Sequence, residues 1–298
     1  MSLLIFFKNL YQSWGVRDKW GYNGVIVSDW GAINERSKSV KATCDLEMPS
    51  SHGFWSKHLE KESVNDLELQ KQIKSSSQRI SNLVETYKPI EHEEIDFLKQ
   101  HEQARMIARE SMVLAKNEDM LPLIEKENIA IISGFYDQIR YQGGGSSHVN
   151  AYMVNQFKDI VSNYSKNIKC AKGFSIKHQR PDNKLEKEAL DLAIQSKKIV
   201  YIVGVPEALE TEGFDRDTLD LPANQVELFK KMIEVNQNII VVVLSGSVVN
   251  LKPFEAAKGC LIAYLGGQAS ALSIMDILYG RVNPSGRLAE TWIDDKSE

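Results

Sequence analysis

Four short blocks of almost unbroken apolar residues, "NIAIISG", "KIVYIVG", "NIIVVVLSG" and "GCLIAYLGG", alternate with amphipathic stretches over the second half of this 298-residue chain. A strand that is apolar at every position has both faces covered, which points to a parallel sheet rather than a half-exposed hairpin. The stretches between them, such as "LEKEALDLAIQSK", "PANQVELFKKMIEV" and "ASALSIMDILYG", have helical periodicity. Strand and helix in alternation imply an α/β fold with helices on both sides of a mainly parallel sheet, placed at residues 118–293 as a C-terminal α/β sandwich domain.

Upstream, "GYNGVIVSDWGA" at 21–32 reads as one more strand buried on both faces, and "CDLEMP" at 44–49 as a short one stopped by proline. Helical spacing is expected over about 62–86 and again over 98–117, with a further helix near 150–163. Pro89 and the acidic "IEHEEID" mark a boundary. These signals divide the chain into 1–88, a linker with a connecting helix at 89–117, and the sandwich.

A formal net charge of −4 gives no electrostatic reason to expect nucleic acid or an anionic membrane as partner. No apolar run reaches the roughly 18 residues of a membrane helix, and "MSLLIFF" lacks a cleavage pattern, so a cytoplasmic location is the default expectation. Cys44, Cys170 and Cys260 are odd in number and far apart, which reads as reduced core residues. The sequences "HEEID" and "HEQAR" begin like H-E-x-x-H but lack the second histidine, so no metal site is expected; no cofactor is expected either.

Two acidic positions stand out. Asp29 ends the first strand candidate, where α/β folds place their active groups, although a turn or helix-cap aspartate fits the same spacing. Its neighbour Trp30 reads either as a sugar platform or as a core residue. The second position is "ETEGFDRD" at 210–217, which follows "KIVYIVG" and reads as a solvated charged loop or as a carboxylate placed to reach a cleft. Glycosidases use two carboxyl groups, about 5–5.5 Å apart in retaining enzymes. The run "YQGGGSSHVN" at 141–150 follows "NIAIISG" but has no lysine after its glycines and no G-x-G-x-x-G spacing, which argues against a phosphate cradle.

Taken in order, "GYNGVIVSDWGA", "DLEMP", "ARESMVLAKNEDMLPL", "YQGGGSSHVN", "ETEGFDR", "DLPANQVEL" and "NPSGRLAETW" resemble the β-glucosidases of glycoside hydrolase family 3, from about residue 18 to about 293. That resemblance implies a retaining hydrolase acting on a β-glucoside or oligosaccharide. Asp29 would be its nucleophile and Glu212 its acid/base residue, with Glu210 as the fallback if the loop is shifted. It also implies that Trp30 contacts the sugar and that Gly145, Ser146 and Ser147 form part of the sugar site's wall.

Family members carry a complete or nearly complete eight-stranded α/β barrel before the sandwich, with the S-D-W strand late in it. Here about 20 residues precede that strand. The segment 1–88 is therefore expected to be a remnant of the last barrel strands. Such a remnant has uncovered apolar faces that favour self-association, and little or no activity is expected of the chain by itself. The contrasting reading is a non-catalytic carbohydrate-binding or assembly module.

Overall fold

The computed structural model describes residues 10–87 and 94–293, and contacts between residues divide the chain into two compact units, Met1–Glu94 and Ile95–Glu298. Pro89, the first residues of the acidic stretch, and "MSLLIFF" lie outside the described residues.

The second unit is built on a six-stranded sheet. Its elements are α4 (Phe97–Ser111), β1 (Val113–Asn117), β2 (Ile129–Ile132), α5 (Phe157–Ile160), β3 (Ile168–Ala171), α6 (Asn183–Gln195), β4 (Lys198–Gly204), α7 (Ala223–Val235), β5 (Ile239–Leu244), β6 (Gly259–Ile262) and α8 (Ser270–Leu278). The spatial order is β1-β6-β5-β4-β2-β3, and all neighbours are parallel except β1, which runs antiparallel to β6. Every residue of β5 and all but the first of β4 are buried, as two-sided coverage requires. Helix α6 packs on α7, while α4 packs on α8. This is the α/β sandwich expected from the sequence.

The strand order fixes where a ligand-facing crevice can form. From β2 the chain moves outward to β3, then returns to β4 on the other side of β2. In such open sheets the loops at the carboxyl ends of the two strands at this reversal are the ligand-facing ones.

Three details differ from the sequence expectation. The helix expected over 98–117 ends at Ser111, and Val113–Asn117 pairs with β6, because Val113 and Leu114 can cover the sheet edge while Ala115 and Asn117 stay exposed. The helix near 150–163 shrinks to Phe157–Ile160 followed by a 3-10 turn over Val161–Asn163. Strand β3, with Lys169 exposed in "IKCA", gave no apolar signal because it is an edge.

In the first unit a π-helical segment (Leu10–Lys19) is followed by α1 (Arg36–Lys41), α2 (Phe54–Ser63) and α3 (Leu67–Thr86). The two expected strands reduce to a single parallel bridge, Val27↔Leu46, extended by Ser28 N–H donating to Leu46 O at 2.9 Å and Gly31 N–H to Met48 O at 2.9 Å. Val27 is 49% exposed, so the two-sided burial expected of 21–32 is not found. The physical reason is that, among the described residues, no further strand flanks either segment.

Buried Asp45 ties this unit together. Its carboxylate accepts from Arg17 at 2.8 Å, from the Ile26 amide at 2.9 Å, from Ser76 at 2.5 Å and from Arg79 at 2.6 Å. Burial pushes its carboxyl up, but the hydrogen bonds from Arg79, Ser76 and the Ile26 amide and the Arg79 charge outweigh it, leaving the group below the usual carboxylate range.

Candidate active site

The loops after β2, β4 and β5 meet at the carboxyl edge of the sheet, and Arg140 joins the first two. Its guanidinium is buried and donates to Gln142 O at 3.0 Å, to Val205 O, and to Glu210 O at 2.9 Å. Burial lowers its pKa, opposed by the charges of Glu210 and Glu207.

Glu210 is committed to holding the loops. Its carboxylate accepts from Ser247 Oγ at 2.6 Å and from the Gly246 amide at 3.0 Å, and lies 3.4 Å from Arg140 and 3.8 Å from Arg216. A carboxylate so surrounded is a structural anchor.

Glu212, two residues on, is presented differently. Its side chain is exposed, and one oxygen, Oε2, accepts from the Ser146 amide at 2.9 Å and from Ser146 Oγ. Among the described residues Oε1 has no hydrogen-bond partner. Gly213 adopts φ +77°, which lets the chain turn so that Phe214 bridges back to Thr211.

The glycine run explains how Ser146 reaches Glu212. Gly144 forms a parallel bridge with Thr211, and a Cβ there would lie 2.7 Å from Thr211 Oγ1 and 2.9 Å from Glu207 Cγ. Gly145 has φ +86°, and a Cβ on it would meet Glu212 Cβ at 2.7 Å. Only residues without a side chain allow so close an approach. Gln142 closes the far end of the loop, its amide bonding both the N–H and C=O of Val149 at 3.0 Å. The run is therefore the seat of the Glu212 segment. Gly145 and Ser146 contact Glu212, whereas Ser147 Oγ donates back to Gly144 O at 3.4 Å.

Asp29 belongs to the first unit. It lies in a turn closed by Ala32 N–H on Asp29 O at 3.1 Å, and its Oδ1 accepts from the Trp30 amide at 2.8 Å. It does not cap a helix, since Glu35 precedes α1. Trp30 is 69% exposed, so it is not a core tryptophan.

Arg140, Gln142 and Ser247 were not singled out from the sequence. The signal available for the first was an arginine immediately ahead of a glycine run, a position from which a fork of donors can gather loop carbonyls. Among the described residues no group of three or more His, Cys, Asp or Glu could hold a metal ion, and no helix is long and apolar enough to cross a membrane. The three cysteines are free thiols.

This architecture, a parallel sandwich presenting a carboxylate from its switch-point loops, has clear relatives. The family model described as "Glycosyl hydrolase family 3 C-terminal domain" matches residues 112–298, and the chain belongs to glycosyl hydrolase family 3. "Thermostable beta-glucosidase B" of Acetivibrio thermocellus is 39% identical over 286 residues, covering 93% of this chain and 38% of that protein. "Exo-alpha-(1->6)-L-arabinopyranosidase" of Bifidobacterium longum is 35% identical over 290 residues, again 93% of this chain and 38% of the relative. The crystal structure of the Bifidobacterium adolescentis GH3 beta-glucosidase superposes with a TM-score of 0.91 at 36% identity, over 99% of this chain and 44% of that one. The chain thus spans less than half the length of the relatives it matches.

Proposed function

We propose that this chain carries the two catalytic carboxylates of a retaining β-glucosidase, with Asp29 as nucleophile and Glu212 as acid/base residue. The observation that carries the reading is the contrast between neighbouring acids: Glu210 is locked by four partners, while Glu212 is exposed and held through one oxygen only. A residue that must give a proton to the departing oxygen and then take one from water needs an oxygen accessible to substrate. Oε1 of Glu212 meets that requirement.

In this reading Asp29 attacks the anomeric carbon and forms a glycosyl-enzyme while Glu212 protonates the leaving oxygen. Glu212 then deprotonates the water that releases the sugar. Trp30 offers an apolar face for the sugar ring. Ser146 orients Glu212, and Gly145 and Ser147 shape the loop that carries Ser146. A β-glucoside is the favoured substrate, since this is the activity named for two of the relatives, although the arabinopyranosidase matches over as much of the chain.

The 298-residue chain alone is expected to turn over little. The segment bearing Asp29 has one strand neighbour and leaves Val27 and Trp30 open to water, which is a poor basis for holding a nucleophile to the roughly 0.5 Å that catalysis demands. The test is hydrolysis of 4-nitrophenyl β-D-glucoside by the purified chain beside Asp29→Ala and Glu212→Ala. All three at background is the expected result. Turnover by the parent that Asp29→Ala abolishes would overturn the claim of inactivity.

A further inference from the structure

A concavity lies on the β3 side of β2, at the carboxyl ends of β2 and β3, with a volume of about 500 Å³. That is room for a monosaccharide derivative. Its cations come from separate segments, Lys158 from α5 and Lys172 and Lys177 from the loop after β3, which also contributes His178 to the lining. Lys172 pairs with Asp137 at 2.7 Å. The other lining acid, Asp182, caps α6 by accepting from the Lys184 and Leu185 amides at 3.0 and 3.1 Å. Lys158 and Lys177 are left without an ion-pair partner among the described residues, on a chain whose net charge is −4. Asp137 sits below the usual carboxylate range, chiefly through the Lys172 hydrogen bond and in smaller part through the charge of Lys158.

The wall is fixed in place. Asn224, only 2% exposed, donates through Nδ2 to both Ser175 O and His178 O at 3.0 Å, which pins the loop that carries Lys177. Gly134 packs so closely under that wall that a Cβ would meet Phe174 O at 2.7 Å. Gln138 and Ser175 add neutral hydrogen-bonding groups, and Ile176 and Leu185 an apolar surface. Two ammonium groups without an ion-pair partner, lining one cavity beside neutral polar and apolar groups, suit a ligand that is anionic at one end and sugar-like at the other.

We propose that this cavity binds a phosphorylated monosaccharide, separately from the Glu212 loop. The experiment is a ¹H–¹⁵N titration of the full 298-residue chain with glucose 6-phosphate, glucose and inorganic phosphate in parallel. Glucose 6-phosphate is expected to move the Gly134, Ser175 and Lys177 amides, to leave those of Gly145 and Glu212 in place, and to bind about ten-fold more tightly than either fragment. Lys158→Gln and Lys177→Gln, both at exposed positions, should each weaken binding by about three- to five-fold, and added salt should weaken it further. Equal binding of inorganic phosphate, equal binding of glucose, or no movement of the three amides would each overturn the proposal. The reading of Glu212 as acid/base is untouched by any of these results.

Discussion

Two segments of this chain, "VIVSDWG" and "IVYIVGV", have the same local character and reach different ends. The second becomes β4, paired with β2 on one side and β5 on the other, with six of its seven residues buried. The first keeps one bridged residue, Val27, and half of that side chain faces water. An apolar run is only a request for partners; the ladder forms where flanking strands satisfy the backbone on both edges and helices cover both faces.

The comparison is broken most readily by mutation. Ile202→Ala in β4, at a fully buried position, should cost about 2–5 kcal/mol, whereas Val27→Ala should stay within about 0.5 kcal/mol, both read from urea unfolding. A large effect at Val27 would show that its segment is packed far better than the geometry indicates.

A smaller effect separates the two units by pH. Asp45 titrates below its unfolded value, so its contribution to the first unit is full above about pH 5 and is lost as pH falls through the lowered folded value. Asp45→Asn should therefore flatten the acid limb of the first unit's unfolding, followed by exchange of amides around Ile26 and Arg79, and leave the exchange of β4 and β5 amides unchanged. An unaltered acid limb would remove Asp45 from its place as the unit's clasp.

What was legible in the sequence follows the same division. β2, β4, β5 and β6 are legible because they are central and apolar throughout; β3 and β1 are not, since an edge strand can keep polar residues such as Lys169 and Asn117 exposed. The motif singles out Glu212 as a candidate. The difference in setting between Glu210 and Glu212 has no local signal, because it depends on Arg140, Ser247 and Gly246, which reach Glu210 across 36 to 70 residues of chain. The resemblance makes the glycine run part of a sugar-site wall. Its packing against Thr211 and Glu212 is a tertiary contact with no local signature.

The most direct test of the account is a hybrid in which residues 1–298 replace the matching segment of the Bifidobacterium adolescentis GH3 beta-glucosidase, assayed on 4-nitrophenyl β-D-glucoside with and without azide. The hybrid is expected to turn over the substrate and to lose that activity in Asp29→Ala. Glu212→Ala is expected to fall about 10²- to 10⁴-fold and to be partly restored by azide, while Glu210→Ala is not rescued by azide. Rescue by azide in Glu210→Ala, with Glu212→Ala close to the parent, would contradict the account and move the acid/base role two residues back.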